Sequence, residues 1–181
     1  GVVYKARDLN LDRLVALKFL PQEVTSDEAD KARVLQEARA ASALNHPHVC
    51  HINAILESEG RQFIDMEYIE GVTLRRTLPV KDLQDALRYA IEIGEALEEA
   101  HGKGIVHRDV KCENIMVNAK NQIKVMDFGL AKLRGSLKLT KTSSTIGTRA
   151  YMAPEQIQGG TVDARSDLFS FGVVLFELLT G

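Results

Sequence analysis

The stretch "GIVHRDVKCENIM", residues 104–116, sets a carboxylate at Asp109, an ammonium at Lys111 and an amide at Asn114 within six residues. Apolar residues on both sides pin this polar cluster next to core. A carboxylate so placed suits accepting or orienting the proton of an attacking hydroxyl. The lysine supplies positive charge where a phosphoryl group carries negative charge. Two apolar runs, "NIMVN" and "QIKVMD", flank a turn at 119–122. Pairing them as a hairpin sets Val117 against Lys124, Ile115 against Met126 and Asn114 opposite Asp127, to within a slip of one residue. An amide oxygen and a carboxylate converging at a strand end suit a hard cation such as Mg²⁺ that holds phosphate oxygens. Taken alone, "D-x-K" reads more simply as a solvated polar loop.

A second pair of residues argues against that simpler reading. Lys18, within "VALKFL", shares a strand face with Ala16 and Leu20. Glu37 shares a helical face with Val34, Ala41 and Leu44, an apolar stripe. Charges on buried faces are costly unless paired. The pattern therefore predicts a Lys18–Glu37 ion pair, with the lysine also reaching an anionic ligand.

The elements that must position these groups divide the chain. "GVVYKARD" and "VALKFL" read as strands joined by a turn around Asn10 and Asp12, the second ended by Pro21. Residues 27–44 are rich in Ala, Leu, Glu, Lys and Arg and form a helix. Pro47 and the glycine of "ESEGRQ" bracket a further strand, and "QFIDMEYI" is another. This is a small sheet carrying one helix. Residues 71–80 read as a connector. Beyond Lys81, Leu83, Leu87, Ala90 or Ile91, Gly94 and Leu97 mark an amphipathic helix ending near Gly102 and Gly104. A polar stretch from Arg134 to Thr145 precedes a closing apolar helix after "DARSD". The pattern is α+β, sheet-rich first and helix-rich second, with the unusual polar residues near the junction.

Composition narrows the function classes. The 181-residue chain is 45% hydrophobic and 27% charged, ordinary for a soluble globular protein. A net charge of -2 supplies no bulk positive field for nucleic acid or anionic membrane. Cys50 and Cys112 form neither a C-x-x-C pair nor a disulfide framework, consistent with a reducing compartment. No signal peptide is visible, and "FSFGVVLFELLTG" is too short for a membrane span and carries Glu177. The chain starts without methionine and stops at that apolar helix, so both ends read as cut. "NHPHVCHIN" gathers His46, His48, Cys50 and His51, but strand alternation separates them, against a metal site. Asp65 interrupts an otherwise apolar strand with no sequence-level reason.

"VALK", a helical Glu37, "HRDVKCEN", "DFG" at 127–129 and "APE" at 153–155 stand in the order of the eukaryotic-like protein kinases. The texture of "GVVYKARD", "GTRAYMAPEQ" and "DARSDLFSFGVVLFELLTG" resembles the membrane-anchored bacterial Ser/Thr kinases, across residues 1–181. This resemblance implies a two-lobed α+β protein-kinase fold, divided at 1–70 and 71–181 and truncated at both ends. It also implies use of ATP and Mg²⁺.

Residue by residue, Lys18 resembles the lysine that grips the α- and β-phosphates, held by Glu37. Asp109 resembles the catalytic base, Lys111 the γ-phosphate lysine, and Asn114 and Asp127 the magnesium ligands. Gly1 matches the last glycine of the Gly-rich loop. Val3, Ala16 and Met116 match the residues that sandwich adenine, Met66 the gatekeeper, and Glu67 to Ile69 the hinge. Asp167 matches the helix aspartate that bonds the catalytic-loop backbone. Lys111 and Thr148 imply protein Ser/Thr hydroxyls as acceptors. A pseudokinase scaffold and a small-molecule kinase are the alternatives. The first is opposed by the complete set Lys18, Asp109, Asn114 and Asp127, the second by the segment 146–155.

For regulation, the resemblance implies that Arg108 pairs with a phosphorylated loop, and that two copies associate for trans-autophosphorylation at Thr140 or Thr142. It implies a cytoplasmic domain whose full-length protein is membrane-anchored. Cys112 stands where the family has proline, and a buried, inert thiol is expected. The arginine that would pair with Glu155 is absent from the chain, which predicts a half-made buried pair.

Overall fold

The computed structural model describes residues 2–20, 28–128 and 149–181, without the side chains of 28–31, 33 and 34. Gly1, the side chain of Val34, Gly129, Thr140, Thr142 and Thr148 therefore lie outside the described residues.

Strands β1 (Val3–Asp8) and β2 (Arg13–Phe19) form the expected hairpin. Asp8 closes it by accepting from the backbone N–H groups of Asn10 and Leu11 at 3.0 and 3.2 Å, and Asp12 takes a φ of 51°. Helix α1 (Glu28–Ser42) follows, then β3 (Ile52–Ser58) and β4 (Arg61–Glu67). The four strands form one antiparallel sheet in the order β1-β2-β4-β3. Alternation then sorts the side chains. Lys18 stands between Val3 and Ile64, and Ala16 is paired with Lys5 and Met66.

The sequence treats 71–80 as a connector, but it holds strand β5 (Gly71–Thr73) and a 3₁₀ turn at Leu74–Thr77. A three-residue strand is too short to show a period. Helix α2 (Leu83–Gly102) is capped by Asp82, whose carboxylate accepts from the N–H groups of Gln84 and Asp85 at 2.7 and 3.2 Å. Strands β6 (Ile115–Asn118) and β7 (Ile123–Val125) pair with β5 in a second sheet, order β5-β6-β7. Their register differs from the predicted one by a residue. Ile115 faces Val125, Met116 faces Lys124 and Val117 faces Ile123. The Asn118 side-chain amide oxygen accepts from the N–H groups of Lys120 and Gln122, and Asn121 takes a φ of 59°, so the turn closes one residue tighter. Asn114 therefore stands opposite Met126, whose N–H donates to the Asn114 carbonyl at 2.9 Å, with Asp127 one step beyond.

A short helix α3 (Pro154–Gln158), unassigned in the sequence, precedes α4 (Ala164–Thr180). Helix α4 starts inside "DARSD" because Asp163 caps it, accepting from the Arg165 N–H at 2.9 Å. One core runs through both sheets, with Leu44, Ile64, Leu74, Ile93, Leu97, Ile115, Ile123 and Leu178 almost fully buried. Among the described residues, no helix is long and apolar enough to cross a membrane.

Candidate active site

Asp109 is held by its own loop. Lys111 Nζ donates to both Asp109 carboxylate oxygens at 2.9 Å, and Asn114 Nδ2 donates to Oδ2 at 3.0 Å and to the Asp109 carbonyl at 2.8 Å. These bonds fix the plane of the carboxylate. Lys111 and Asn114 are both buried. Because Asn114 spends its NH₂ on Asp109, its amide oxygen is the atom left to meet a cation.

The loop backbone is clamped from α4. Asp167, fully buried, accepts from the His107 and Arg108 N–H groups at 2.7 Å each, and lies 2.8 Å from His101 Nε2. Arg108 thereby holds a φ of 68°, which a non-glycine residue adopts only when its surroundings enforce it. The expected role of Asp167 is found in these contacts. His107 adds a second clamp: its Nδ1 accepts the Asp109 N–H at 3.2 Å, which leaves Nε2 as the protonated nitrogen donating to the Met126 carbonyl at 2.7 Å. His107 thus connects the loop to the strand that presents Asp127. Gln156 contributes a third, donating to the Arg108 carbonyl at 3.0 Å. Sequence reasoning missed His107 and Gln156; each is polar and buried or half-buried, but the carbonyls they bond, of Met126 and Arg108, are remote in sequence.

Asp127 follows β7 with a φ of 67° and pairs with Lys18 at 2.6 Å. This corrects the predicted Lys18–Glu37 pair. Glu37 Oε1 lies 3.8 Å from Arg108 instead, so the lysine takes the carboxylate presented from β7 and the glutamate faces the catalytic-loop arginine. Ala41 of the same helix, Cys50, Met66, Asp127 and Phe128 line one small cavity.

Of the remaining candidates among the described residues, only Met66 lines that cavity. Ala16, paired with Met66, is half-buried; Met66 and Ile69 are buried; Val3 is exposed. Met116 lies on β6 between Thr73 and Lys124. Glu67 is tied by its carboxylate to Lys124 at 2.9 Å and to the His51 N–H at 3.3 Å. His48 Nδ1 lies 3.1 Å from the Ile123 carbonyl oxygen and its ring 5.4 Å from that of His46, while the Cys50 thiol donates to the Glu67 carbonyl at 3.8 Å. Burial pushes the Cys50 thiol up to about 12. Asp65, unexplained in the sequence, accepts from Asn53 across the β3–β4 bulge at 3.0 Å.

Cys112 is fully buried and donates to Glu177 Oε2 at 3.2 Å; burial, then that bond, pushes its thiol up to about 12. The expectation for Glu155 is corrected. It is half-buried rather than buried and accepts from the Ser166 hydroxyl, which holds its carboxyl below the usual range.

The protein kinase domain family matches residues 1–181. The chain is 42% identical to the serine/threonine-protein kinase pkn3 of Myxococcus xanthus, with 100% of this chain and 35% of that protein covered. It is 45% identical to PknB of Mycolicibacterium smegmatis (99% and 30% covered) and 40% identical to PrkC of Bacillus subtilis (99% and 28%). The chain thus spans 28–35% of the length of these curated relatives. The kinase domain of Mycobacterium tuberculosis PknI, a solved structure, superposes with a TM-score of 0.76 at 26% identity, covering 98% of this chain and 66% of that one. The chain belongs to the protein kinase domain family, within its bacterial eukaryotic-like branch. That family uses ATP and Mg²⁺.

Proposed function

We propose that this chain is the catalytic part of a Ser/Thr protein kinase, which transfers the γ-phosphoryl group of ATP to protein Ser or Thr hydroxyls. The observation that carries this reading is the convergence of Lys18, Asp109, Lys111, Asn114 and Asp127 on one cleft, through the contacts Lys18–Asp127 and Lys111–Asp109–Asn114. Residues 1–70 form the lobe that brings Lys18 and the adenine-facing residues Val3, Ala16, Met66, Glu67 and Ile69. Residues 71–181 form the lobe that brings Met116 and the loop.

The donor set fits magnesium. The Asn114 amide oxygen and the Asp127 carboxylate are hard oxygens, the kind Mg²⁺ takes. Bound there, the ion would neutralise charge on phosphate oxygens. The chain's own groups do the rest. The Asp109 carboxylate, held in plane by Lys111 and Asn114, accepts the hydrogen bond of the acceptor hydroxyl and aligns its oxygen. Lys111, 2.9 Å from Asp109, sets positive charge beside the same oxygen. Lys18, held at 2.6 Å from Asp127, meets the α- and β-phosphates.

The test uses the full-length protein with Mg-ATP and a generic basic protein substrate. Wild type should yield phosphoserine or phosphothreonine, and Asp127→Asn should lose transfer by about 10²-fold or more, the scale of a lost electrostatic group. Transfer at the wild-type rate in Asp127→Asn would sink the assignment. Arg108 is proposed as the receiver of loop phosphate added at Thr140 or Thr142 by a second copy.

A further inference from the structure

The peptide group that joins Arg108 to Asp109 is held at both ends. Its N–H, that of Asp109, donates to His107 Nδ1 at 3.2 Å, and its carbonyl, that of Arg108, accepts from Gln156 Nε2 at 3.0 Å. The next peptide group is held through the Asp109 carbonyl, which accepts from Asn114 Nδ2 at 2.8 Å. His107 and Asn114 lie two and five residues from Asp109, on the same loop. Gln156 lies 48 residues from the carbonyl it bonds. Its grip therefore depends on where a separate segment sits.

That segment is fastened to the same helix as the loop. The Ser170 hydroxyl of α4 donates to the Tyr151 carbonyl at 2.7 Å, and the Ser166 hydroxyl donates to Glu155. Asp167, between those two serines, accepts the Arg108 N–H at 2.7 Å. Helix α4 thus frames both the N–H of Arg108 and the side chain that meets its carbonyl. The frame has strain to contain, because Arg108 holds a φ of 68°. Release of the Arg108 carbonyl lets this peptide group turn toward relaxed backbone, and Asp109 turns with it.

We propose that Gln156 is a positioning residue for phosphoryl transfer, whose amide ties the orientation of Asp109 to the seating of the segment 153–158. This rests on the kinase reading above. Gln156 acts through the backbone of Asp109 rather than on a substrate. The simpler role for Gln156 is a helix cap, since its Oε1 accepts the Ala153 N–H at 2.9 Å, three residues before it at the start of α3. The two roles ask for different chemistry. A cap needs only the acceptor, and at this third helical position glutamate serves as well as glutamine. The bridge to Arg108 needs the N–H donor, which an ionised glutamate lacks.

The experiment compares wild-type full-length protein with Gln156→Glu and Gln156→Met, using Mg-ATP and a generic basic protein substrate. Both variants should lower kcat about tenfold, the scale of one lost hydrogen bond that leaves a carbonyl unpaired. KM for ATP should stay within about twofold, because the loss falls on the step and not on nucleotide binding. Gln156→Glu at the wild-type kcat would mark a cap and overturn the proposal. A rise in KM for ATP with kcat unchanged overturns it as well. Hydrogen exchange, read by mass spectrometry without nucleotide, should speed about tenfold in the fragment spanning 105–112 in both variants and stay at the wild-type rate in α2. Unchanged exchange in 105–112 also overturns the proposal. Where Gln156→Met fails to fold, Gln156→Glu, which keeps the cap, decides. Absence of phosphate transfer by wild type bears on the kinase reading alone, because the exchange readout still decides whether Gln156 holds the loop.

Discussion

Gly71 lacks a side chain for reasons of space. A Cβ built there would lie 2.1 Å from the Val117 carbonyl oxygen and 2.9 Å from the Asn118 Cα, all backbone that cannot rotate aside. β5 must therefore move off β6, and with it the turn that carries Arg75. Gly71→Ala is expected to destabilise the fold by about 1–3 kcal/mol, the usual cost of overpacking, read as a lower urea midpoint with unchanged m. A variant as stable as wild type would show that β5 tolerates displacement. Asp65 shows the same dependence on a neighbour: a carboxylate inside a strand is tolerable because Asn53 donates to it from the adjacent strand.

Helix α4 is more than a hydrophobic rod. Asp167 near its start clamps the Asp109 loop, and Glu177 near its end collects Arg75, Tyr151 and Cys112. Burial alone would raise the Glu177 carboxyl, but the donors from Tyr151, Arg75 and Cys112 prevail and hold it below its ordinary value of 4.5. A depressed folded-state pKa contributes stability that is present above the unfolded value and lost as pH falls through the folded one. Wild type should therefore lose stability as pH drops below about 4.5, beyond what Glu177→Gln loses over the same window. Denaturant melts at pH 6, 5, 4 and 3 (about one-unit steps across the window) measure the difference. Parallel pH curves for the two proteins would contradict it. Helix α2 has a comparable tie: Glu92, buried, accepts the Ile123 N–H at 2.6 Å and holds the helix to β7.

At the scale of the molecule, the cleft is assembled from both sheets, and its ion pairs cross between them. Lys18 of β2 meets Asp127 beyond β7, and Glu37 of α1 meets Arg108 before Asp109. A phosphate carries about two negative charges and forms charge-assisted bonds with arginine. Loop phosphate at Thr140 or Thr142 would therefore draw Arg108 from Glu37 and release the glutamate toward Lys18. Mass spectrometry after incubation with Mg-ATP should find phosphate between Arg134 and Arg149. Transfer should rise with that modification in wild type but not in Arg108→Ala. An equal rise in Arg108→Ala would disprove the coupling.

The candidate site was legible in sequence because its chemistry is local: Asp109, Lys111 and Asn114 sit on one loop, and their mutual bonds span at most five residues. Helix α2 was legible from its apolar period, α1 from its helix-forming composition, α4 from its apolar run and the strands of the first sheet from the turn residues that bracket them, all signals that lie within each segment. Tertiary structure alone decided the rest. The one-residue register of β6 and β7 depends on how the Asn118 side chain closes a turn, and the exchange of ion-pair partners depends on which carboxylate lies nearest in space. Arg75, Glu113 and Glu177 are separated by 38 and 102 residues from the first to each of the others, so no spacing rule joins them. Sequence determines which charges exist and which faces they share; packing of distant segments determines which of them meet.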